Sequence, residues 1–280
     1  AKGALLINYC PVSQLLQEGG KVVGLQCKDA ETDEVYTVRA RCVVNATGPW
    51  VDELRQQDAA LLGKPVKPMV ALSQGVYLVV DRDFLPTDHA LLVPKTGDGR
   101  VLFAVPWLGK VILGTTDSPR HDLAREPLPF EEEVAFILRE AGNYLSRQPT
   151  MADVRSMWAG LRPLAKPQDD DGENTKGISR EHTVLTSKSG LVTVTGGKWT
   201  TYRAMAEDVL DACFAAGKLD RRAGGVTVHL PLVGSPASGK AQHSMHMAQG
   251  MHSYGSESAM VAELPGADVW LVDGLSEAMV

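Results

Sequence analysis

The stretch Thr193-Val194-Thr195-Gly196-Gly197-Lys198-Trp199-Thr200-Thr201-Tyr202-Arg203 decides how this chain is read. A strand over Gly190–Thr195 runs into a Gly-Gly turn, and a helical pattern follows from Trp199 to Ala216. A strand, a small turn and a helix start leave backbone N–H groups exposed at the positive end of the helix dipole. That arrangement suits an anion or a polarised carbonyl. It is not a Walker A loop, because the G-x-x-x-x-G-K-[ST] spacing is absent. The same residues also satisfy a plain strand-to-helix turn with a capping threonine, so the pattern alone leaves both uses open.

A second strand-to-turn junction lies near the start. Arg41-Cys42-Val43-Val44-Asn45-Ala46 runs into Thr47-Gly48-Pro49, and Trp50–Leu62 reads as a helix. A buried strand ending in small residues presents backbone to a ligand. Ahead of it, Lys21–Lys28 and Glu34–Ala40 read as a hairpin across Asp29–Asp33, and Ala4–Asn8 reads as a short strand. From Val70 to Thr116 short β runs recur at Gly75–Val80, Ala90–Pro94, Arg100–Val105 and Val111–Gly114, which predicts an antiparallel sheet. Glu131–Leu145 carries Val134, Ile137, Leu138, Ala141 and Leu145 at helical spacing. Asp153–Leu164 and Ile178–Leu185 read as strands, separated by the polar loop 166–176. Beyond Gly224 the sequence loosens, and Ser235–Gly250 is rich in Ser, Gly, His and Met.

With 280 residues the chain is long enough for one large or two ordinary domains. Its 34 acidic against 28 basic residues give a formal charge of -6, which excludes a general nucleic-acid binder but leaves room for a local cationic pocket. The four cysteines, Cys10, Cys27, Cys42 and Cys213, form no C-x-x-C pair and read as reduced, mostly buried thiols of a cytosolic protein. No apolar run reaches the ~20 residues of a membrane span, and the N-terminus lacks the pattern of a signal peptide. The sequence opens inside a structural element without an initiator Met, which leads us to expect a fragment.

Three cations lie beside small residues or at strand ends: Arg162, Arg180 and Lys198. An arginine fork matches phosphate or carboxylate, although each cation taken singly also fits an ordinary surface position. Gly114-Thr115-Thr116-Asp117 either positions a polar group near a ligand or caps a turn. His243, His246 and His252 contain an H-x-x-H pair without an acidic or cysteine co-ligand, so no metal site is expected.

Taken in order, five motifs resemble the FAD-dependent glycerol-3-phosphate dehydrogenases, of the aerobic and anaerobic bacterial type. They are Asn45–Trp50; Phe103-Ala104-Val105-Pro106-Trp107 with Gly114–Asp117; Gly160-Leu161-Arg162-Pro163-Leu164; Ile178-Ser179-Arg180-Glu181-His182; and Gly196–Arg203. The resemblance runs over residues 1–220. It implies an α/β (α+β) fold: a partial Rossmann-like FAD-binding domain, residues 1–65 and 166–222, with an antiparallel-sheet substrate domain, 66–165, inserted. Residues 223–280 would be a linker and the start of a C-terminal helical domain.

The activity it implies is oxidation of sn-glycerol 3-phosphate to dihydroxyacetone phosphate, hydride passing from C2 to FAD and electrons then to quinone. It places Arg162, Arg180 and Lys198 in the active site, the two arginines on the substrate phosphate or hydroxyl and Lys198 at the flavin–substrate junction. Tyr77 and Thr116 fall on the substrate side. Ala46, Thr47, Gly48, Trp50, Gly196, Gly197, Lys198, Thr200 and Thr201 fall on the cofactor side, where a helix start stabilises reduced flavin. The family further implies a cytoplasmic enzyme, peripheral on the cytoplasmic membrane face, and allows a homodimer. Two departures stand out. The G-x-G-x-x-G fingerprint is absent from these residues. The first strand of the substrate domain reads Gln74-Gly75-Val76-Tyr77 where the family carries a histidine, and a tyrosine there donates a hydrogen bond without titrating near neutrality. Two alternatives share the resemblance: a glycerophosphate oxidase using oxygen, and a non-catalytic module that keeps the fold.

Overall fold

The computed structural model describes residues 3–97, 99–166, 181–236, 238–240 and 244–280. In chain order the first elements are β1 (Val12–Glu18), β2 (Lys21–Lys28), β3 (Val35–Arg39), β4 (Val44–Asn45), α1 (Val51–Leu61) and β5 (Val70–Asp81). Next come β6 (Leu91–Val93), β7 (Leu102–Trp107), β8 (Lys110–Gly114), β9 (Ser118–Arg120), α2 (Glu131–Gly142) and β10 (Ser156–Ala165). The last are β11 (His182–Thr186), β12 (Val192–Gly196), α3 (Tyr202–Ala215), α4 (Ser258–Ala262), β13 (Trp270–Val272) and β14 (Leu275–Ser276). The chain divides into two units: Ala1–Ser73 with Ser118–Ala124 and Leu161–Gly225, and Gln74–Asp117 with Arg125–Gly160 and Val226–Val280.

In the first unit β1, β2 and β3 form an antiparallel meander, and the β2–β3 pair has the register expected of the hairpin, Gly24 opposite Arg39 and Lys28 opposite Val35. The second sheet has the order β11-β12-β4; β11 and β12 are antiparallel, β12 and β4 parallel. Residues 192–195 of β12 are all buried, because the strand is covered on both sides. Leu191 packs with Leu15, Val22 and Val43, while Val192 and Val194 pack with Val209 and Cys213 of α3. Asp52, in the first turn of α1, accepts hydrogen bonds from the Met69 and Val70 amides and from Arg55, which fixes where β5 begins.

The second unit is built on antiparallel pairs β5–β8, β8–β7 and β7–β6. These strands belong to a six-stranded sheet of order β10-β5-β8-β7-β6, with β9 also paired to β5. Alternate residues Val76, Leu78, Val80, Val111, Leu113, Leu102 and Ala104 point to one face, where α2 covers them with Phe136, Ile137 and Ala141. Truncating a fully buried residue of this layer such as Ile137 to alanine costs about 2–5 kcal/mol. Glu131, Glu132 and Glu133 stand at the positive end of α2 and Arg139 at its other end, matching the helix dipole.

Several expectations need correction. Ala4–Asn8 is not a strand: it pairs with no described strand, and Leu5, Leu6 and Ile7 are exposed. An apolar run becomes a strand only when its backbone finds a partner. The edge strand β1 was not expected; its ladder shifts register at Val12/Gln14 and Leu16/Gln17, and these irregularities break the two-residue alternation. Strand β5 begins at Val70, because the polar Ser73 and Gln74 are fully buried inside it. Trp50 and Trp199 each end or open a 3-10 turn, so α1 starts at Val51 and α3 at Tyr202. Within 226–280, α4, β13 and β14 are short ordered elements.

Candidate active site

Strands β4 and β12 run side by side in the same direction, with Val44 opposite Val192 and Asn45 opposite Thr193. Both glycine turns therefore leave neighbouring carboxyl ends of parallel strands, the place where open α/β sheets bind ligands. Asn45 organises the first turn. It is 1% exposed; its amide donates to the Val51 carbonyl (2.9 Å) and accepts from the Thr47 hydroxyl (2.8 Å). The result holds Thr47, Gly48 and Trp50 half-buried and leaves Ala46 exposed.

The second turn is built for glycine alone. Gly196 and Gly197 have φ of +75° and +80°, where a side chain is strained. A Cβ on Gly196 would lie 2.6 Å from the Glu181 carbonyl oxygen, and one on Gly197 would lie 2.6 Å from Met205 Sδ. Lys198 and Thr200 follow, both exposed. The Thr201 hydroxyl donates to the Lys198 carbonyl (2.9 Å) and so closes the first turn. His182 Nε2 meets Asp208 Oδ2 at 2.7 Å and braces β11 against α3. Next to the glycines, the Thr195 hydroxyl is buried and has no hydrogen-bond partner among the described residues.

Arg162 lies near the end of β10 and is half-buried. Two residues on, Leu164 packs on Ala71; three residues on, the Ala165 methyl lies 3.4 Å from the Cβ position of Gly196. The end of β10 thus abuts the Gly-Gly turn. Arg180 lies outside the described residues. The first unit brings together Ala46–Trp50, Gly196–Thr201 and the end of the strand carrying Arg162.

Tyr77 and Thr116 belong to the second unit. On the sheet face opposite α2, Tyr77 lies across Gly114, stacks on Trp158 (5.3 Å between centroids, 13° between planes) and meets Phe103 at 6.1 Å. A Cβ on Gly114 would come within 2.7 Å of the Tyr77 ring, so glycine is what admits the ring. Thr116 is 1% exposed, and its hydroxyl bonds within the protein. It accepts from the Val76 amide (3.0 Å) and donates to Glu133 Oε1 (2.7 Å). Glu133 in turn accepts from Gln74 (2.6 Å) and from the Phe130 amide (3.1 Å). This buried network joins residues far apart in the sequence and was not read from it; nor were the bracing role of Asn45 and the His182–Asp208 pair.

Elsewhere in the second unit, Asp81 is held down to about 2 by hydrogen bonds from Arg155 and Lys110. His246 lies 3.6 Å from Asp88, and His243 lies outside the described residues. Among the described residues no three His, Cys, Asp or Glu side chains are arranged to hold a metal. A cavity of about 500 Å³ is lined by Leu108, Val233, Met245, His252, Tyr254 and Glu257, and by none of the site residues read from the sequence. No described helix is long and apolar enough to cross a membrane.

The chain is similar to known proteins in sequence and in fold. The chain is 40% identical over 235 residues to the mitochondrial glycerol-3-phosphate dehydrogenase SDP6 of Arabidopsis thaliana, covering 83% of this chain and 36% of that protein. It is 44% identical over 221 residues to the mitochondrial glycerol-3-phosphate dehydrogenase of Homo sapiens, covering 75% and 29%. The glycerol-3-phosphate dehydrogenase from Bacillus halodurans, solved in complex with FAD, superposes with a TM-score of 0.64 at 38% identity, over 77% of this chain and 40% of that one. The chain thus spans roughly a third of the length of these curated relatives. The profile described as DAO, FAD dependent oxidoreductase, matches residues 1–203 and so takes in both glycine turns. The chain belongs to the FAD-dependent oxidoreductase family.

Proposed function

We propose that this chain forms the flavin-facing wall and the substrate cations of an enzyme that oxidises sn-glycerol 3-phosphate to dihydroxyacetone phosphate. The observation that carries the reading is the pair of glycine turns at adjacent carboxyl ends of parallel β4 and β12. These residues fit a flavin ring: they offer backbone donors, a helix start and glycines that let the ring approach the backbone. Ala46, Thr47, Gly48 and Trp50 would hold FAD from one side, and Gly196, Gly197, Lys198, Thr200 and Thr201 from the other. Bound FAD supplies the two-electron acceptor.

The protein's own groups bind and orient. Arg162 and Arg180 are the forked cations for the substrate phosphate or hydroxyl, and Lys198 serves where substrate and flavin meet. Tyr77, stacked and held in place, offers a hydroxyl at the position where the family carries a histidine. Thr116 acts through the Gln74–Glu133 network that fixes the start of β5. In this reading residues 1–65 and 166–222 serve the cofactor, 66–165 the substrate, and 223–280 begin a further helical domain. Electrons leave to quinone, which requires peripheral attachment to the membrane that holds it; in a bacterium this is the cytoplasmic face. A homodimer is compatible with the reading.

The test is kinetic. In the complete enzyme, Arg162→Ala is expected to cost at least ~2 kcal/mol of transition-state stabilisation, about 30-fold in kcat/KM. Turnover within twofold of wild type would remove Arg162 from the substrate site.

A further inference from the structure

The four cysteines lie far apart in sequence, yet the fold gathers them into two pairs within the first unit. Cys10 lies beside Cys27. The Cys42 and Cys213 sulfurs lie 3.3 Å apart, within hydrogen-bond reach of each other. We propose that Cys42 and Cys213 are an oxidisable pair, a modification site that takes a peroxide as its two-electron oxidant and closes to a disulfide joining the approach to β4 with α3.

Geometry favours closure. A disulfide needs about 2.05 Å between sulfurs, so the pair must close by about 1.3 Å. Cys42 lies in the irregular segment just ahead of β4, between the backbone bonds that Ala40 makes to Val23 and Val43 makes to Val192, so the approach falls to its side chain. Cys213 is fixed on α3, 1% exposed, against Val192, Val194 and Val209. The two thiols also have distinct parts to play. Burial, and then Cys42 beside it, push the Cys213 thiol up to about 12, so it waits protonated. Cys42 is partly buried, less so than Cys213, and meets the oxidant first.

The chemistry balances. The Cys42 thiolate attacks one peroxide oxygen, the O–O bond breaks, and Cys42 becomes a sulfenic acid while hydroxide leaves and takes up the proton that Cys42 had released. The Cys213 sulfur then attacks the Cys42 sulfur, the S–O bond breaks, and water leaves carrying the Cys213 proton. Two thiols lose two electrons, and one peroxide becomes two waters. The new bond would tie together the two elements that carry the two glycine turns. It would also link residues 171 positions apart, and long loops are where a cross-link constrains the unfolded chain most.

The experiment exposes the complete FAD-loaded protein to hydrogen peroxide, blocks remaining thiols with N-ethylmaleimide, and maps peptides without reductant. The expected product is a Cys42–Cys213 linked peptide two hydrogens lighter than its parts, formed in most molecules and reversed by dithiothreitol. A melting temperature raised on the order of 5–10 °C should accompany it and be absent in Cys42→Ala. In Cys213→Ala, Cys42 should instead accumulate as sulfenic or sulfinic acid. Because Cys213 is buried and that variant risks misfolding, Cys42→Ala at the less buried position supplies the second control. The proposal is overturned if wild-type Cys42 ends as sulfinic acid with Cys213 alkylated, if Cys42 links to Cys10 or Cys27, or if both thiols stay reduced.

Discussion

Replacing Thr116 by valine keeps nearly the same volume and removes one hydroxyl, so it separates two roles for this residue. In the structure that hydroxyl accepts from the Val76 amide at 3.0 Å and donates to Glu133 at 2.7 Å, in a site only 1% exposed. The valine leaves a buried N–H without an acceptor and a buried carboxyl oxygen without one of its donors. Each costs ~1–3 kcal/mol. Glu133 keeps Gln74 and the Phe130 amide, which softens its share. We therefore expect a loss of about 3 kcal/mol, a large part of a domain's ~5–15 kcal/mol. Urea unfolding should show it as a midpoint lowered by about 1.5 M, at an m-value of about 2 kcal/mol/M. Hydrogen exchange provides the local readout, since the Val76 amide should lose protection relative to its neighbours in β5. An unchanged midpoint and unchanged exchange, together with a raised KM for glycerol 3-phosphate, would refute this reasoning and assign the hydroxyl to the ligand.

Two further outcomes follow from the geometry. Gly196→Ala should cost about 3 kcal/mol, because it adds left-handed strain to a 2.6 Å clash with the Glu181 carbonyl. Gly48→Ala has φ of +59° but open space around the new methyl, and should cost only about 1–2 kcal/mol; equal effects in urea melts would discredit the close approach seen at Gly196. Asp81 has its folded value depressed to about 2 from an ordinary 3.8, so its contribution is present above about pH 4 and is lost as pH falls through about 2. The stability gap between wild type and Asp81→Asn should accordingly shrink between pH 4 and pH 2, and a gap independent of pH there would show that Arg155 and Lys110 do not hold the carboxylate.

What could be read from the sequence was local. The β2–β3 hairpin announced itself through two β-rich runs around Asp29–Asp33, and α2 through its apolar spacing. The Gly196–Gly197 turn was legible because a paired glycine between a strand and a helix is the local signature of positive φ. What stayed hidden depends on residues far apart. Asn45 meets Thr193 across 148 positions, so nothing in either stretch reveals that β4 and β12 are parallel neighbours. The β run was read from Gly75, yet Ser73 and Gln74 lie buried within β5, and the Gln74 amide is received by Glu133, 59 residues away. The cysteines read as isolated thiols because their pairing exists only in the folded chain. Arg162 sits between these cases: its place in β10 follows from local pattern, while its role rested on the Gly160–Leu164 motif.

The central claim is that the two glycine turns hold a flavin that glycerol 3-phosphate reduces. The most direct measurement is anaerobic mixing of the complete FAD-loaded enzyme with glycerol 3-phosphate while the flavin absorbance is followed. The account predicts bleaching by this substrate and none by glycerol or by amino acids. A folded, flavin-loaded protein whose absorbance does not change would contradict it.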